Sequence, residues 1–560
     1  MHPPVDARLA RAFSPRSVAI VGATEDANKV GGRPLHYLQR FGFTGAIYPV
    51  NPRRATVQGL AAYPTLEALP ERPDAVVVAV GQEQVEPVVR SCGALGIAAA
   101  VVMSSGFGET GAEGRARQDA LVALARAQGV RLIGPNAQGI ANFHSGAVLN
   151  FSTMFMEVAP ADGPVAIVSQ SGAASVMPYA LLRERGIGVR YLVASGNDAD
   201  ASVCELALAA AADPEIRVVL LYIESLRDTA MLVRVAQAAR ARGAAVVALK
   251  SGRSALGARA AASHTGAMVV DDVLIDAFLA RHGIWRAADV HGLVNATELY
   301  LQGAEPGEGK LVVMSHSGAV GVLCADTADT LALPLAELAP PTRQALEAIM
   351  PGFATAQNPV DMTAALMTDG AMYAHTLEAL GADPQAGLFL VGVPVAGPGY
   401  DLPGMARDTA RFAQAARKPV VVSAPQASVR AAFRAAGLPV FVHETDALAA
   451  LAQVRGHAAL RRAADQRDAL VAPASLPGAP AGTGTLDEAA SLAWLGAAGI
   501  PLVAHRLCRS VQEAVAAWQA LGPEVVVKAC SAAIPHKSEH GLVHLGITDA
   551  DGVRAAWQAC

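Results

Sequence analysis

The chain has 560 residues, 52% of them hydrophobic and 17% charged, with a net charge of −5. That length exceeds a single core and predicts three or four domains, while the mild acidity excludes the basic stripe of a nucleic-acid binder. No apolar run reaches the roughly eighteen residues of a membrane helix, and the opening MHPPVDARLARAFSPR carries no signal-peptide core, so a cytoplasmic protein with no membrane association is expected.

In chain order, the strand-length runs SVAIVGA, AIYPVNP, AVVVAV, AAAVVMSSG and VRLIGPN come first, separated by helical stretches such as EGRARQDALVALARAQG. Strands alternating with helices predict βαβ units around a parallel sheet, and a first domain over 1–145. A second alternating block, 160–303, holds PVAIVSQSG, RYLVASG, VVLLYIES and AVVALKSG; a third, 309–470, holds LVVMSHSG, GLFLVGVPV and PVVVSAP. VAPASLPGAPAGTGT (471–485) has linker composition, and a fourth segment fills 486–560. Cys92, Cys204, Cys324, Cys508, Cys530 and Cys560 form no CxxC and read as isolated thiols.

Two of these blocks echo each other. GPVAIVSQSGAASV and GKLVVMSHSGAVGV share a strand, a Ser-x-Ser-Gly turn and a helix start. Ser169, Gln170, Ser171 and Gly172 form the first turn; Ser315, Ser317 and Gly318 belong to the second. A serine before a helix is commonly just its cap. Two such turns at strand ends also offer hydroxyls, free N–H groups and a helix dipole to an anion, so both are candidate phosphate cradles.

Three further motifs carry chemistry. VGATEDANKVGG (21–32) follows the first strand; Gly22, Gly31 and Gly32 permit close approach of a phosphate, with Ala23, Thr24 and the later Arg53 and Arg54 alongside. It is not GxGxxG, which argues against a Rossmann oxidoreductase. KSGRSALGARAAASHTGAMVVDD (250–272) is a small-residue stretch around one histidine, His264. Imidazole is a competent covalent nucleophile and accepts a phosphoryl group when a carboxylate holds its other nitrogen. Glu224, ending VVLLYIES, is the candidate orienter. In EVVVKACSAAIPHKSEHG, Lys528 ends a Val-rich strand where a cation reaches phosphate, and His536 follows in a turn.

These motifs, with GPNAQGI, SGND and NPVDMT in this order, resemble the nucleoside-diphosphate-forming acyl-CoA synthetases, the family of ADP-forming acetyl-CoA synthetase and a relative of succinyl-CoA synthetase. The resemblance spans nearly the whole chain. It implies an α/β protein with a Rossmann-type CoA-binding domain, two flavodoxin-like ligase domains and a partial ATP-grasp domain. It implies the reaction of a small carboxylic acid, CoA and ATP to acyl-CoA, ADP and phosphate, through an acyl phosphate and a phosphohistidine, with Mg2+. His264 matches the phosphorylated histidine and Glu224 the carboxylate that steadies it. Ser169, Gln170, Ser171 and Gly172 match the loop that holds the phosphoryl group; Gly22, Ala23, Thr24 and Arg53 match CoA contacts. Lys528 matches the nucleotide-binding lysine and His536 a second phosphate acceptor. Family members use short, acetate-like acids or aryl acids such as ferulate, and Asn197 and Asp198 fall in a loop that could line the acid site.

Departures from the family pattern are Gly81 in place of a proline, SHSGAVG in place of a Gly-Gly turn, and His540 in place of a small apolar residue. The chain is expected to end inside the first ATP-grasp lobe, ahead of the metal-binding carboxylates. That predicts a truncated sequence, completion by a partner subunit, a homo-oligomer included among the arrangements, or a catalytically incomplete CoA- or acyl-CoA-binding regulatory protein.

Overall fold

The computed structural model describes residues 6–257, 259, 271–304, 306–469, 484–534 and 536–560. They fall into two compact units, Met1–Arg467 and Asp468–Cys560.

The first unit is built on three sheets. The Val/Ile/Ala runs form β1 (Ser17–Val21), β2 (Ala46–Val50), the small hairpin β3 (Thr56–Val57) and β4 (Leu60–Ala61), then β5 (Ala75–Val78), β6 (Ala99–Val102) and β7 (Arg131–Ile133). Apart from the hairpin they pair in parallel in the order β2-β1-β5-β6-β7. Every residue of β1, β5 and β6 is buried, as expected of a parallel sheet covered by helices on both faces.

The second sheet takes β8 (Gly139–Asn142), β9 (Ala147–Asn150), β10 (Val165–Ser169), β11 (Tyr191–Ala194), β12 (Val218–Ile223), β13 (Ala245–Lys250) and β14 (Trp285–Arg286), in the order β14-β13-β12-β10-β11-β8-β9. Its core is parallel, but the β8–β9 hairpin adds to β11 antiparallel. The expected division at residue 145 therefore falls inside a hairpin of the second sheet, and the sheets change hands between Ile133 and Gly139.

The third sheet, order β16-β15-β17-β18-β19, is all parallel: β15 (Lys310–Ser315), β16 (Val360–Asp361), β17 (Ala386–Gly392), β18 (Val420–Ser423) and β19 (Val440–Phe441).

Polar side chains join these layers. Arg131, on β7, pairs with Asp6 at 2.7 Å and with Asp200 and Glu205 at 3.0 Å, tying the first sheet to the loop after β11. The 26-residue helix Glu444–Ala469 returns from the third block to the second. Its buried His457 makes hydrogen bonds at both ring nitrogens, to the Tyr300 hydroxyl at 2.8 Å and the Gly283 carbonyl at 3.1 Å. Burial pushes its pKa down to about 3, so it is a neutral strut.

All six cysteines are free thiols, with Cys92, Cys204 and Cys324 buried. Among the described residues no helix is long and apolar enough to cross a membrane.

The second unit packs the helices Glu488–Ala497, Val511–Leu521 and Ala550–Ala559 with an antiparallel pair, β20 (Val525–Lys528) and β21 (Val543–Ile547).

Candidate active site

Each sheet of the first unit has one strand flanked by neighbours to which the chain runs in opposite directions. They are β1 between β2 and β5, β10 between β11 and β12, and β15 between β16 and β17. The crevice beyond the carboxyl end of such a strand is where doubly wound sheets take ligands. The three turns singled out in the sequence occupy these three places.

Beyond β1, Gly22 has φ of 89°, and a Cβ there would stand 2.3 Å from the Ala79 carbonyl oxygen, so only glycine fits. The loop closes on itself: a Cβ at Gly31 would meet the Gly22 oxygen at 2.2 Å, and one at Gly32 the Asp26 oxygen at 2.0 Å. Asn51 Nδ2 donates to the Ala23 carbonyl at 2.8 Å, and Gln58 Nε2 donates to those of Thr24 and Gly32, both at 2.9 Å. Arg53 donates its main-chain N–H to Asn51 Oδ1 at 2.8 Å. Its exposed guanidinium has no partner among the described residues and is free to meet an anion.

Beyond β10, Ser169 Oγ donates to the Ser171 carbonyl at 2.6 Å and accepts the Ser171 N–H at 3.0 Å. Ser171 is the N-cap of the helix Gly172–Glu184, its Oγ accepting from Ala174 N at 3.4 Å. Gln170, Ser171 and Gly172 line a cavity of about 520 Å³, with Asn197, Asp198, Glu224 and Arg227 of the second block. Glu109, Arg115 and Gln118, from the segment between β6 and β7 of the first sheet, and Asn136 and Gln138, from the crossing to the second sheet, line it too.

The structure thus brings Glu224 and the first Ser-x-Ser-Gly turn to one cavity. Glu109 is committed: it accepts from Asn197 Nδ2 and the Gly106 N–H, each at 2.5 Å. Burial alone would raise its pKa, but these hydrogen bonds outweigh it and hold the group ionised below its ordinary value. Asp198 goes the other way, burial lifting it to about 6 against hydrogen bonds from Gln170 and Ser195. Arg115 and Arg227 are exposed and form no salt bridge among the described residues, Arg227 acting on Asp198 only through its charge, so the wall carries two cations open to an anion. The lining residues 109, 115, 118, 138 and 227 went unmarked in the sequence as site residues. No local pattern marks them: Arg115 and Gln118 sit on the helix Ala112–Ala127 and reach the cavity through the packing of the first sheet beside the second.

The third turn, beyond β15, does not line this cavity. Ser317 precedes the helix Gly318–Thr330 but makes no side-chain cap, and its N–H bonds Ser315 Oγ at 3.2 Å. His316 donates from Nε2 to the Val395 carbonyl at 2.8 Å and lies against Tyr400. A Cβ on Gly318 would sit 3.1 Å from Asp361 Oδ2, so a carboxylate already stands at this helix start.

His264 lies outside the described residues. In the second unit, Glu488 holds both Lys528 and Lys537, the latter at 3.2 Å. The Lys528 bond comes first among the causes that keep Glu488 below its ordinary pKa. His536 is exposed, 3.9 Å from Glu539.

Known proteins carry the same arrangement. A CoA binding domain model matches residues 16–142, a succinyl-CoA ligase like flavodoxin domain 162–300, and an ATP-grasp domain 479–560. The chain is 32% identical to a trans-feruloyl-CoA synthase of an unknown prokaryotic organism, over 98% of its own length and 78% of that protein's. It is 29% identical to acetate–CoA ligase (ADP-forming) I of Archaeoglobus fulgidus, over 98% and 79%. Among solved structures, it matches acetyl-coenzyme A synthetase 1 of Ca. Korarchaeum cryptofilum, determined in complex with phosphate and ADP, with a TM-score of 0.75 and 28% identity. That match covers 83% of this chain and 99% of that one. With the three switch-point turns in place and a relative aligned over 98% of this chain, the chain belongs to the ADP-forming acyl-CoA synthetases, acid–thiol ligases that work on CoA and the ATP/ADP pair.

Proposed function

We propose that the cavity beyond β10 is where a carboxylic acid becomes an acyl phosphate and then a thioester, with His264 carrying the phosphoryl group. The observation that carries this reading is the convergence on one cavity of a capped helix start, Glu224 and two arginines open to an anion, with walls from both the CoA-binding and ligase blocks. In this reading His264 takes the phosphoryl group from ATP, releasing ADP, and Glu224 steadies the imidazole. Ser169, Gln170, Ser171 and Gly172 hold the transferring oxygens at the helix start, where N–H groups and the dipole oppose their charge. The acid's carboxylate oxygen then takes the phosphoryl group. Attack of the CoA thiolate on the acyl carbon expels phosphate. Gly22, Ala23, Thr24 and Arg53 hold CoA; the glycine closures beyond β1 leave a loop whose backbone a phosphate approaches without meeting a side chain.

Lys528 and His536 serve the nucleotide in the second unit, Lys528 exchanging Glu488 for a phosphate. Among the described residues no cluster of three or more His, Cys, Asp or Glu could hold a metal. Magnesium enters this reading with the nucleotide phosphates, which carry it. A relative from Pyrococcus furiosus is named as an alpha subunit and is 34% identical over 68% of this chain, which supports assembly with a partner subunit. The reducing cytoplasm is the compartment that suits this chemistry and six free thiols. For the acid, the likeness to a feruloyl-CoA synthase over 98% of this chain and a cavity of about 520 Å³ support an aryl acid of hydroxycinnamate size. The equally long likeness to an acetate ligase keeps acetate as the second candidate.

The test is phosphoryl labelling of the chain from γ-labelled ATP with magnesium, or from acyl phosphate, in wild type and His264→Ala. Acid-labile, base-stable label that is lost in the variant is expected. Label retained in the variant, or absent by both routes, refutes the phosphohistidine.

A further inference from the structure

Gln170 has every hydrogen-bonding position of its side-chain amide filled. Oε1 accepts the main-chain N–H groups of Glu224 at 2.6 Å and Ser225 at 2.9 Å. Nε2 donates to the Ser225 carbonyl and to Asp198 Oδ2, both at 2.9 Å. Glu224 and Ser225 follow the last residue of β12, so their N–H groups lie past the strand and take Gln170 as their partner. Turning the amide over would set NH2 against two N–H donors and Oε1 against a carboxylate and a carbonyl. The direction of this one amide therefore fixes the backbone from which Glu224 enters the cavity.

Asp198 is the group that sets that direction. Its Oδ1 accepts the Ser195 hydroxyl at 2.8 Å, leaving Oδ2 for Gln170. Its backbone sits in the left-handed region, with φ of 56°. The loop around it is clamped to the first sheet's end: Asn197 N–H donates to the Pro135 carbonyl at 2.9 Å and Ala199 N–H to that of Gly134 at 3.2 Å. Next to it, Asp200 accepts the Leu132 N–H at 2.9 Å and pairs with Arg131. A rigid chain of bonds thus runs from β7 through Asp198 and Gln170 to Glu224.

We propose that Asp198 is a positioning residue, whose carboxylate orients the Gln170 amide and through it fixes Glu224 at the cavity. This rests on the role given to Glu224 above.

The experiment uses the full chain and the nucleotide-free half-reaction that reaches His264: acyl-CoA and labelled phosphate give acyl phosphate and CoA, and acyl phosphate passes its phosphoryl group to His264, releasing the acid. Acid-labile, base-stable label on the chain is followed in time, starting from feruloyl-CoA and acetyl-CoA. Asp198→Ala leaves a buried donor unpaired and is expected to lower the labelling rate roughly ten- to hundredfold, with the half-saturating acyl-CoA concentration within about twofold. Hydrogen exchange at the Glu224 and Ser225 amides should quicken by a similar factor. Asp198→Asn can turn its carbonyl to Gln170 and should stay within about threefold of wild type. Gln170→Glu sets two carboxylates together and should fall like Asp198→Ala. Adding Asp198→Asn to it supplies a donor and should recover at least about fivefold, a coupling that independent sites do not show. A fully active Asp198→Ala with unchanged exchange at 224 and 225 overturns the proposal, as does a double variant no better than Gln170→Glu. A wild-type chain that shows no half-reaction with either thioester counts against the reading of the cavity; amide exchange at 224 and 225 in Asp198→Ala then decides the positioning role by itself.

Discussion

Asp198 leaves a second signature, in the dependence of stability on pH. Burial lifts its pKa from an ordinary 3.8 to about 6, the hydrogen bonds from Gln170, Ser195 and the Val203 N–H and the charge of Arg227 only partly offsetting it. A raised carboxyl pKa means that the folded chain binds this proton more tightly than the unfolded chain does. The resulting stability is complete below pH 3.8 and is lost as pH rises through about 6. A shift of about two units corresponds to about 3 kcal/mol, of which about 2 kcal/mol falls between pH 4.5 and 7.5. Asp198→Asn keeps an acceptor for Gln170 but cannot titrate, so it should not show this loss. The assay is urea unfolding followed by circular dichroism at the two pH values, for wild type and variant. Subtracting one pH change from the other cancels every other titrating group. Wild type should lose about 2 kcal/mol more than the variant between pH 4.5 and 7.5. A difference below about 0.5 kcal/mol, or one of opposite sign, would show that Asp198 does not carry a costly buried charge and would refute the reasoning.

Two shorter predictions concern the other turns. Gly22→Ala puts a methyl 2.3 Å from the Ala79 carbonyl at a positive φ. It should destabilise by about 1–3 kcal/mol and weaken CoA binding at least tenfold, read by thermal melting and calorimetric titration. Glu488→Gln removes the anion that occupies Lys528 and Lys537. It should tighten ADP binding severalfold, on the order of 1 kcal/mol, in a nucleotide titration; unchanged or weaker binding would argue that Glu488 serves the nucleotide rather than competing with it.

The parallel sheets were legible because their strands are buried on both faces and so read as unbroken Val/Ile/Ala runs, closed by glycine or Ser-x-Ser-Gly turns. The β8–β9 hairpin was not. Its GIAN and AVLN segments are as short as any loop, and the strand that β8 pairs with outside the hairpin, β11, lies about fifty residues further along the chain. For the same reason the cavity wall was half read. Glu224 and the first turn stand at strand ends that the pattern marks. Glu109, Gln118 and Arg115 reach the cavity only because the first sheet packs beside the second, a tertiary fact with no local periodicity. Gln170 was marked for the helix-start loop it belongs to, while its hold on Glu224 depends on an amide direction that no spacing encodes.

The echo between the two Ser-x-Ser-Gly turns illustrates how far a repeated motif goes. It fixes the same strand, turn and helix start twice, and both copies fall at switch points. What each copy offers an anion depends on what surrounds it. At the first, Ser171 caps its helix, the nearby Glu109 and Asp198 are engaged by hydrogen bonds, and Arg115 and Arg227 stand open to an anion. At the second, Asp361 already places a carboxylate beside Gly318, and His316 turns its Nε2–H to a carbonyl. A negative group at a helix start satisfies the dipole that a phosphate would otherwise meet, and it repels a second anion. The electrostatics therefore favour the first turn as the seat of the transferring phosphoryl group. They predict that removing Asp361's charge, rather than altering Ser315 or Ser317, is what would make the second turn bind phosphate.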